Sequence, residues 1–372
     1  MKLLPELRRR QLFAGLILVL LTSNSRLFSQ QKLFDQYFEK KSEFTLSLPA
    51  NFQVSEARVS PSGKIYLRSI YENAILRFDS GSTDPVRYDL NRAIENMGPS
   101  SSLPFLQSDF ALDEAGNVYV LGSWKLDRLY HAAIFQYSSS GEFRSRIDLM
   151  PPVEASRVGV NADGTFVVLG SDARYFKHQL NQLFIAHLYS NEGTWLRGLV
   201  EYATSNNQPG APGSPNSSSG ASMGRELERS VIRRDLAGNL VFTQTYSKGI
   251  SRLDRSSQAR SVRLKPDAQA VGSSASPGPS VATEEILWNI APARQNFTIA
   301  ELVRSENQST NVSIRTRLLR IYDADGNPQS PEMQVSREVG VLIGSDANGS
   351  IYFAEHSRPG LQAISKYDLR LK

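Results

Sequence analysis

Cationic and aromatic side chains are concentrated in six separate segments of this 372-residue chain. Together the segments hold ten Lys/Arg against five Asp/Glu, an excess of five positive charges, and three of the four histidines. The segments are Arg68–Ala74, Ser123–Ala132, Ser171–Leu183, Gln244–Gly249, Arg304–Arg317 and Glu355–Gln362. Cations and aromatic rings that converge on one surface can hold an anionic or sugar-like ligand through charge-assisted hydrogen bonds and ring stacking.

Within these segments we select the candidate ligand-binding residues by their cationic, imidazole or aromatic chemistry. They are Trp124, Lys125, Arg128, Tyr130, His131, Arg174, Tyr175, His178, Tyr246, His356 and Arg358. The competing interpretation is that long loops are polar in any secreted protein and that their aromatic rings pack locally.

No sequence motif commits the chain to catalysis. His-Glu-x-x-His is absent, and no pair of histidines has the spacing of metal ligands on a helix. Gly220–Gly224 matches Gly-x-Ser-x-Gly, but it lies in a Ser/Gly-rich stretch without the strand and helix that a serine nucleophile needs. Asp323–Asn327 resembles the start of a calcium loop but lacks its third ligand and closing Glu. We therefore predict no catalytic residue, no metal ligand and no cofactor.

A repeated turn-and-strand phrase supplies the elements that position these residues. A Gly, usually with Asp or Asn three residues ahead, precedes a short run of β-forming residues. The turn glycines are Gly63, Gly116, Gly164, Gly238 and Gly349. A fifth unit, between the fourth and fifth of these glycines, lacks the Asp-x-x-Gly turn and has only the strand Gln295–Val303. Short strands that repeat about every fifty residues are typical of β-propellers.

A second phrase, an alternating strand that ends in an aromatic residue or Leu, occurs six times and predicts six blades; seven blades stay open. The copies are Ile75–Asp79, Ile134–Ser138, Ile185–Tyr189, Ile250–Asp254, Leu319–Asp323 and Ile364–Asp368. With these phrases the chain resembles the NHL-type and related six-bladed β-propellers over about residues 43–372, a likeness of architecture. The predicted fold is all-β, with an N-terminal strand over 43–48 added to the last blade so that no sheet edge is left open.

The propeller resemblance brings an alternative function. Propeller lactonases and related hydrolases hold a divalent metal in the central channel with Glu, Asn and Asp from separate blades. Asp109, Glu284, Glu285 and Asn289 precede or enter predicted inner strands and are the residues that could point inward. The alternative to a binding scaffold is therefore a metal-dependent hydrolase or lyase; a structural part of an envelope assembly is a third class.

The N-terminus predicts export. Basic residues, an 11-residue apolar run over 12–22 and small residues near 23–25 resemble a signal peptide over 1–25. An uncleaved anchor and a twin-arginine signal are the alternatives. Removing four basic residues and one acidic residue lowers the net charge from +5 to +2, so the charge gives no support for nucleic-acid binding. The chain has no Cys and hence no disulfide framework or thiol catalyst.

The sequence thus predicts a signal peptide, an N-terminal extension over 26–42 and one propeller domain over 43–372. Two low-complexity insertions, 203–224 and 266–282, are expected to be mobile loops. We expect a monomeric, non-catalytic scaffold in the periplasm or outside a bacterial cell. It would bind a protein, a glycan or another anionic ligand, and its mature chain would have no transmembrane segment.

Overall fold

The predicted turn phrases join the first and second strands of four-stranded antiparallel sheets, and six such sheets form a β-propeller. The computed structural model describes residues 32–79, 82, 84–95, 106–126, 129–172, 182–201, 226–227, 229–245, 247–266, 283–307, 313–336, 338–355 and 360–371. The six-bladed all-β architecture is the one predicted. Residues 1–25 and 203–224 lie outside the described residues, as do all residues of 266–282 except Pro266.

Strand β1 (Phe38–Ser47) comes first in the chain, and blades 1 to 5 follow in sequence order. Blade 1 contains β2 (Glu56–Val59), β3 (Ile65–Ser69), β4 (Ala74–Phe78) and β5 (Val86–Asp89). Blade 2 contains β6 (Leu106–Leu112), β7 (Val118–Leu126), β8 (Leu129–Tyr137) and β9 (Phe143–Asp148). Blade 3 contains β10 (Glu154–Val160), β11 (Phe166–Ser171), β12 (Phe184–Tyr189) and β13 (Trp195–Glu201).

The remaining blades have the same layout, except that β1 completes the sixth. Blade 4 contains β14 (Ile232–Arg234), β15 (Leu240–Gln244), β16 (Gly249–Leu253) and β17 (Ala259–Arg263). Blade 5 contains β18 (Thr283–Pro292), β19 (Thr298–Asn307), β20 (Ser313–Tyr322) and β21 (Met333–Gln334). Blade 6 contains β22 (Val341–Ser345), β23 (Ser350–Ala354), β24 (Leu361–Leu369) and β1. Short helices occupy residues 32–37 and Leu90–Glu95.

The N-terminal strand forms the outer strand of blade 6. It pairs antiparallel with β24 from Phe38↔Leu369 to Ser47↔Leu361, so it begins five residues before the predicted 43–48. Leu46 and Leu48 are buried on the predicted face. Phe34 and Phe38, which precede the predicted strand, are also buried; their rings stack 4.6 Å apart and meet Phe353 edge-on.

Apolar side chains are buried between blades rather than at the axis. Among the described residues they form six clusters, one at each interface between neighbouring blades. The first strands of neighbouring blades contact one another around the ring, and β22 contacts β2. This division of the core leaves the axis to polar side chains.

The turn glycines have the backbone conformation that the repeated phrase requires. All five have φ between 74° and 85°, a left-handed region in which glycine has no steric cost. In blade 5 the turn Arg294–Asn296 uses Asn296 instead, with φ of 62°, and Asn is the residue that best tolerates this region after Gly. Blade 5 therefore has the same kind of turn as the other blades, although its sequence lacks Asp-x-x-Gly.

No helix in the described part of the chain is both long and apolar enough to cross a membrane.

Candidate ligand-binding site

A cavity of about 360 Å³ opens at one end of the propeller axis. Its wall includes the starts of first strands, at Glu56 and Val341, and the ends of second strands, at Arg68 and Ala354. The glycine turns follow the first strands at their opposite ends. The cavity therefore lies on the face that carries the loops between second and third strands.

Charged residues reach the axis because they occupy equivalent positions in the first strands. Glu56, Asp109 and Arg157 each stand seven residues before the turn glycine of their blade. Arg58 and Arg233 each stand five residues before it. Side chains two residues apart in a strand point to the same face, so both positions of a strand are directed to one side.

Blades 1 and 2 bring Arg58 together with two carboxylates. The Arg58 guanidinium is paired with Asp109, and its Nε donates to Glu56 Oε1 at 2.7 Å. Glu56 Oε2 is also 2.9 Å from Arg68 Nη2. Asp109 Oδ2 accepts a hydrogen bond of 2.8 Å from the Val158 backbone N–H, which links blade 2 to blade 3. This cluster is internally neutralised and holds three blades together.

The pKa shifts in this cluster follow from the ion pairs. Burial raises the pKa of Glu56, but Arg58 and Arg68 outweigh burial and leave that pKa well below its ordinary value. Burial lowers the pKa of Arg58, but attraction by Asp109 and Glu56 outweighs it and raises that pKa. Both groups are therefore charged at neutral pH.

Blade 4 places Arg233 in the equivalent position with a different partner. Arg233 is only 9% exposed. Its guanidinium donates to the Ile232 carbonyl at 3.0 Å and to Asn289 Oδ1 at 3.2 Å. In the part of the chain that the structure describes, no carboxylate forms an ion pair with Arg233, and its Nε has no hydrogen-bond acceptor.

The surroundings of Arg233 disfavour its charge. Burial, followed by repulsion from Arg58, lowers the pKa of Arg233 to about 9. The group remains cationic at neutral pH, so the cavity wall contains a buried positive charge that lacks a full counter-charge. Such a charge favours binding of an anion.

Two further arginines and an indole ring line the same cavity. Arg157 donates to the Ser230 carbonyl at 2.5 Å and to the Ser156 carbonyl at 2.7 Å. Arg229 lies with its guanidinium carbon 5.8 Å from the centre of the Trp288 ring. Trp288 is 39% exposed, although it belongs to an inner strand whose neighbouring residues Ile286 and Leu287 are buried.

A β-bulge explains why Trp288 is exposed. The register between β18 and β19 shifts between Leu287 and Asn289, so Trp288 is the extra residue. Blades 2 and 3 have bulges at the equivalent place, where the extra residues are Ser108 and Ser156. Bulges turn a side chain away from the regular ladder and are common next to functional sites. Blade 5 thus presents a large ring where two other blades present a hydroxyl.

The sequence-predicted residues that the structure describes lie on the hairpin of β7 and β8. Trp124 is 7% exposed, stacks on His131 at 5.5 Å and lies 4.9 Å from the Arg146 guanidinium carbon. Tyr130 is half-buried, and burial raises its pKa. These three do not line the cavity at the axis, and a role for them in binding stays a prediction.

The other predicted residues lack a described side chain. The backbone of Lys125 is part of β7 and pairs with Tyr130, but its side chain is not described. Outside the described residues lie Arg128, Arg174, Tyr175, His178, Tyr246, His356 and Arg358.

The residues considered for an inward-facing metal site have different positions. Asp109 and Asn289 are buried near the axis, as expected, and both contact arginines. Glu285 instead pairs with Lys248 at 2.7 Å and Arg304 at 2.6 Å, and Glu284 is exposed. No group of three His, Cys, Asp or Glu side chains in the described ranges could hold a metal ion.

Neither the sequence motifs nor the loop composition indicates the cavity residues Arg157, Arg229, Arg233 and Trp288, and Arg68 is marked only as the first residue of a loop. A usable signal was present in the fixed distance between Glu56, Asp109 or Arg157 and the next turn glycine. Aligning the units on their glycines would have shown ionisable residues at one register in three blades.

Comparisons with known proteins find solved structures of low similarity only. No family model and no curated protein sequence matches the chain. A protein of unknown function from Dyadobacter fermentans is similar, with 10% identity, TM-score 0.45, and 90% of this chain and 99% of that one covered. Virginiamycin B lyase from Staphylococcus aureus is 12% identical with TM-score 0.40, and the match covers 90% of this chain and 100% of that one. YCF48 bound to D1 peptide is 10% identical with TM-score 0.41, and the match covers 89% of this chain and 96% of that one. The assignment of six blades rests on the strand order of this chain.

Proposed function

We propose that this protein is a non-catalytic binding module and that the cavity at the propeller axis binds an anionic ligand. One observation carries the proposal: Arg233 is buried in the cavity wall and contacts Asn289, whereas the equivalent Arg58 contacts Asp109. An anion in the cavity would supply the counter-charge that Asn289 does not.

The balance of charge in the wall supports an anion. Among the described residues, four arginines line the cavity, and the two lining carboxylates belong to Glu56 and Glu355. Glu56 is already engaged by Arg58 and Arg68. A carboxylate, sulfate or phosphate bound beside Arg233 would form charge-assisted hydrogen bonds in a partly desolvated site, where such bonds are strongest.

Export of the protein belongs to the same proposal. The signal-like segment 1–25 is the support, and the expected location is the periplasm or the exterior of a bacterial cell. The mature protein would then encounter free small anions, glycans and acidic groups of other proteins. Amino-terminal sequencing of the protein from its host should give a first residue near Arg26; a retained Met1 would contradict export by cleavage.

Titration calorimetry at low ionic strength tests the binding function. The purified protein is titrated with acetate, phosphate, sulfate and simple sugar acids, because salt screens the attraction that is being measured. We expect at least one anion to bind, and Arg233→Gln to weaken its affinity at least tenfold. Arg260→Gln is the matched control, since Arg260 is an exposed arginine on β17 that pairs with Asp325.

Two results would contradict this function. Equal affinity in Arg233→Gln and the unaltered protein would show that the cavity is not the site. A large rise in melting temperature with Ca²⁺, Zn²⁺ or Mg²⁺, abolished by Asp109→Asn, would favour the metal-dependent hydrolase or lyase instead.

A further inference from the structure

We propose that the anion is an acidic sugar, a carbohydrate whose carboxylate contacts Arg233 while a sugar ring lies against Trp288. The inference rests on the proposed function and adds the chemical class of the ligand. It follows from three features of the cavity: an indole ring that the fold does not need, a guanidinium with an unused donor, and polar groups suited to hydroxyls.

The indole ring is the first feature. Trp288 stands at a bulge, and the corresponding bulges of blades 2 and 3 are built with Ser108 and Ser156. A small residue therefore meets the requirements of the inner strand at this position. Trp288 lines the cavity, and 39% of its surface is exposed. A flat, exposed indole can stack on the C–H face of a sugar ring while its N–H stays available to water.

The unused donor is the second feature. Arg233 Nη2 is committed to Asn289 Oδ1 at 3.2 Å, and Nη1 to the Ile232 carbonyl at 3.0 Å. Its Nε is buried and has no acceptor among the described residues, as is also true of Arg68 Nε in the same wall. A guanidinium presents its donors in one plane, which suits the planar carboxylate group.

The polar lining is the third feature, and it distinguishes a sugar acid from a simple anion. The cavity wall also contains Glu56, Glu355, Gln362 and Ser55. Carboxylates repel a bare phosphate or sulfate, but they accept hydrogen bonds from hydroxyl groups. A ligand with one carboxylate and several hydroxyls can contact both kinds of group. The volume of about 360 Å³ is at the small end of the range of known ligand sites, so we expect a short saccharide or the end of a longer one.

A panel of matched ligands tests the inference by calorimetry. The probes are glucuronate and galacturonate as monosaccharides and disaccharides, the neutral sugars glucose and galactose, and the sugar-free anions acetate, benzoate and phosphate, all at one ionic strength. We expect at least one uronate to bind at least tenfold more tightly than its neutral sugar and than every sugar-free anion. Trp288→Ala should weaken uronate binding about tenfold, and Trp288→Phe should restore part of it.

The outcomes separate the ligand class from the binding function. If acetate or phosphate binds as tightly as the uronates and Trp288→Ala changes nothing, the acidic-sugar inference is wrong while anion binding stands. Tighter binding of benzoate than of any uronate also overturns it, in favour of an aromatic acid. If no probe binds and Arg233→Gln behaves like the unaltered protein, both proposals fail. Melting curves of every variant, with Arg260→Gln as control, verify that the loss is not due to unfolding.

Discussion

Arg58 and Arg233 occupy the same position in two blades, five residues before the turn glycine, yet their neighbours differ by one functional group. Each contacts the residue that stands seven positions before the turn in the next blade. For Arg58 this is Asp109, and for Arg233 it is Asn289. One side of the axis is thereby an internal ion pair, and the other side is a buried cation with amide and carbonyl partners. One register of a propeller can thus hold a closed ion pair in one blade and an incompletely compensated cation in another, and the proposed function assigns binding to the second.

The largest expected effect concerns strand β1, which completes blade 6 of the six-bladed ring. A protein that begins at residue 51 lacks β1 and the buried side chains of Phe34, Phe38, Leu46 and Leu48. Each is worth about 1.5–3 kcal/mol, so the loss is comparable with the roughly 5–15 kcal/mol stability of a typical domain. Thermal unfolding should show a melting temperature at least about 10 °C lower, or no folded protein.

The matched control for this truncation is a protein that begins at residue 32, which keeps β1 and should melt with the full chain. Equal melting temperatures for the proteins that begin at residues 32 and 51 would mean that β1 does not hold blade 6 to the ring.

The second test replaces each arginine with the same apolar residue. Arg58→Met leaves Asp109 without its buried partner and should lower the free energy of unfolding by about 3–5 kcal/mol. Arg233→Met removes an incompletely compensated charge and should raise it by about 1–2 kcal/mol, while anion binding is lost. Urea unfolding measures both. If the two variants lost equal stability, the difference between the two sides of the axis would have no energetic meaning.

A third test exchanges the groups that distinguish the two sides. Asn289→Asp supplies Arg233 with a carboxylate and should raise the free energy of unfolding by about 1 kcal/mol. The gain is small because the new ion pair replaces the hydrogen bond from Asn289 Nδ2 to the Leu342 carbonyl. Affinity for the anion should fall at least tenfold, since the carboxylate occupies its place. Calorimetry and urea unfolding check the two effects. Unchanged affinity would contradict competition for Arg233. Asp109→Asn is the reciprocal variant and should be destabilising.

The smallest expected effect concerns Trp288. Trp288→Ser gives blade 5 the residue type found at the equivalent bulges of blades 2 and 3. Because the ring is partly exposed and the position tolerates a small side chain elsewhere, stability should change by less than about 0.5 kcal/mol. Ligand affinity should fall. A loss of 2 kcal/mol or more in urea unfolding would show that the ring is part of the packing.

The architecture was accessible from the sequence because each blade is a local unit with its own turn. Gly63 and its equivalents mark strand–turn–strand units that neighbouring residues specify, and β1 followed from a strand that lacked a partner. The turn at Asn296 could not be predicted from the glycine pattern, because Asn can also adopt the left-handed conformation.

The site was less accessible because it is assembled from residues of separate blades. Arg58 and Asp109 are 51 positions apart, and Arg233 and Asn289 are 56 apart, so neither pair forms a local motif. Residue composition instead favours loops such as the one that contains Trp124 and His131, where cations and rings are close in sequence. The structure packs Trp124 against its own hairpin, whereas an exposed ring stands at the axis, on an inner strand.

The repeated bulge of the inner strands has a consequence for how such a protein can change its preference for ligands. An inserted residue at a bulge has no partner in the adjacent strand, so its side chain can be replaced without removing a ladder hydrogen bond. Ser108, Ser156 and Trp288 are three such positions, and of these Trp288 lines the described part of the cavity. Substitution of Trp288 can alter the chemistry of the cavity wall while the surrounding sheets keep their geometry, which makes this position a suitable starting point for designing new selectivity.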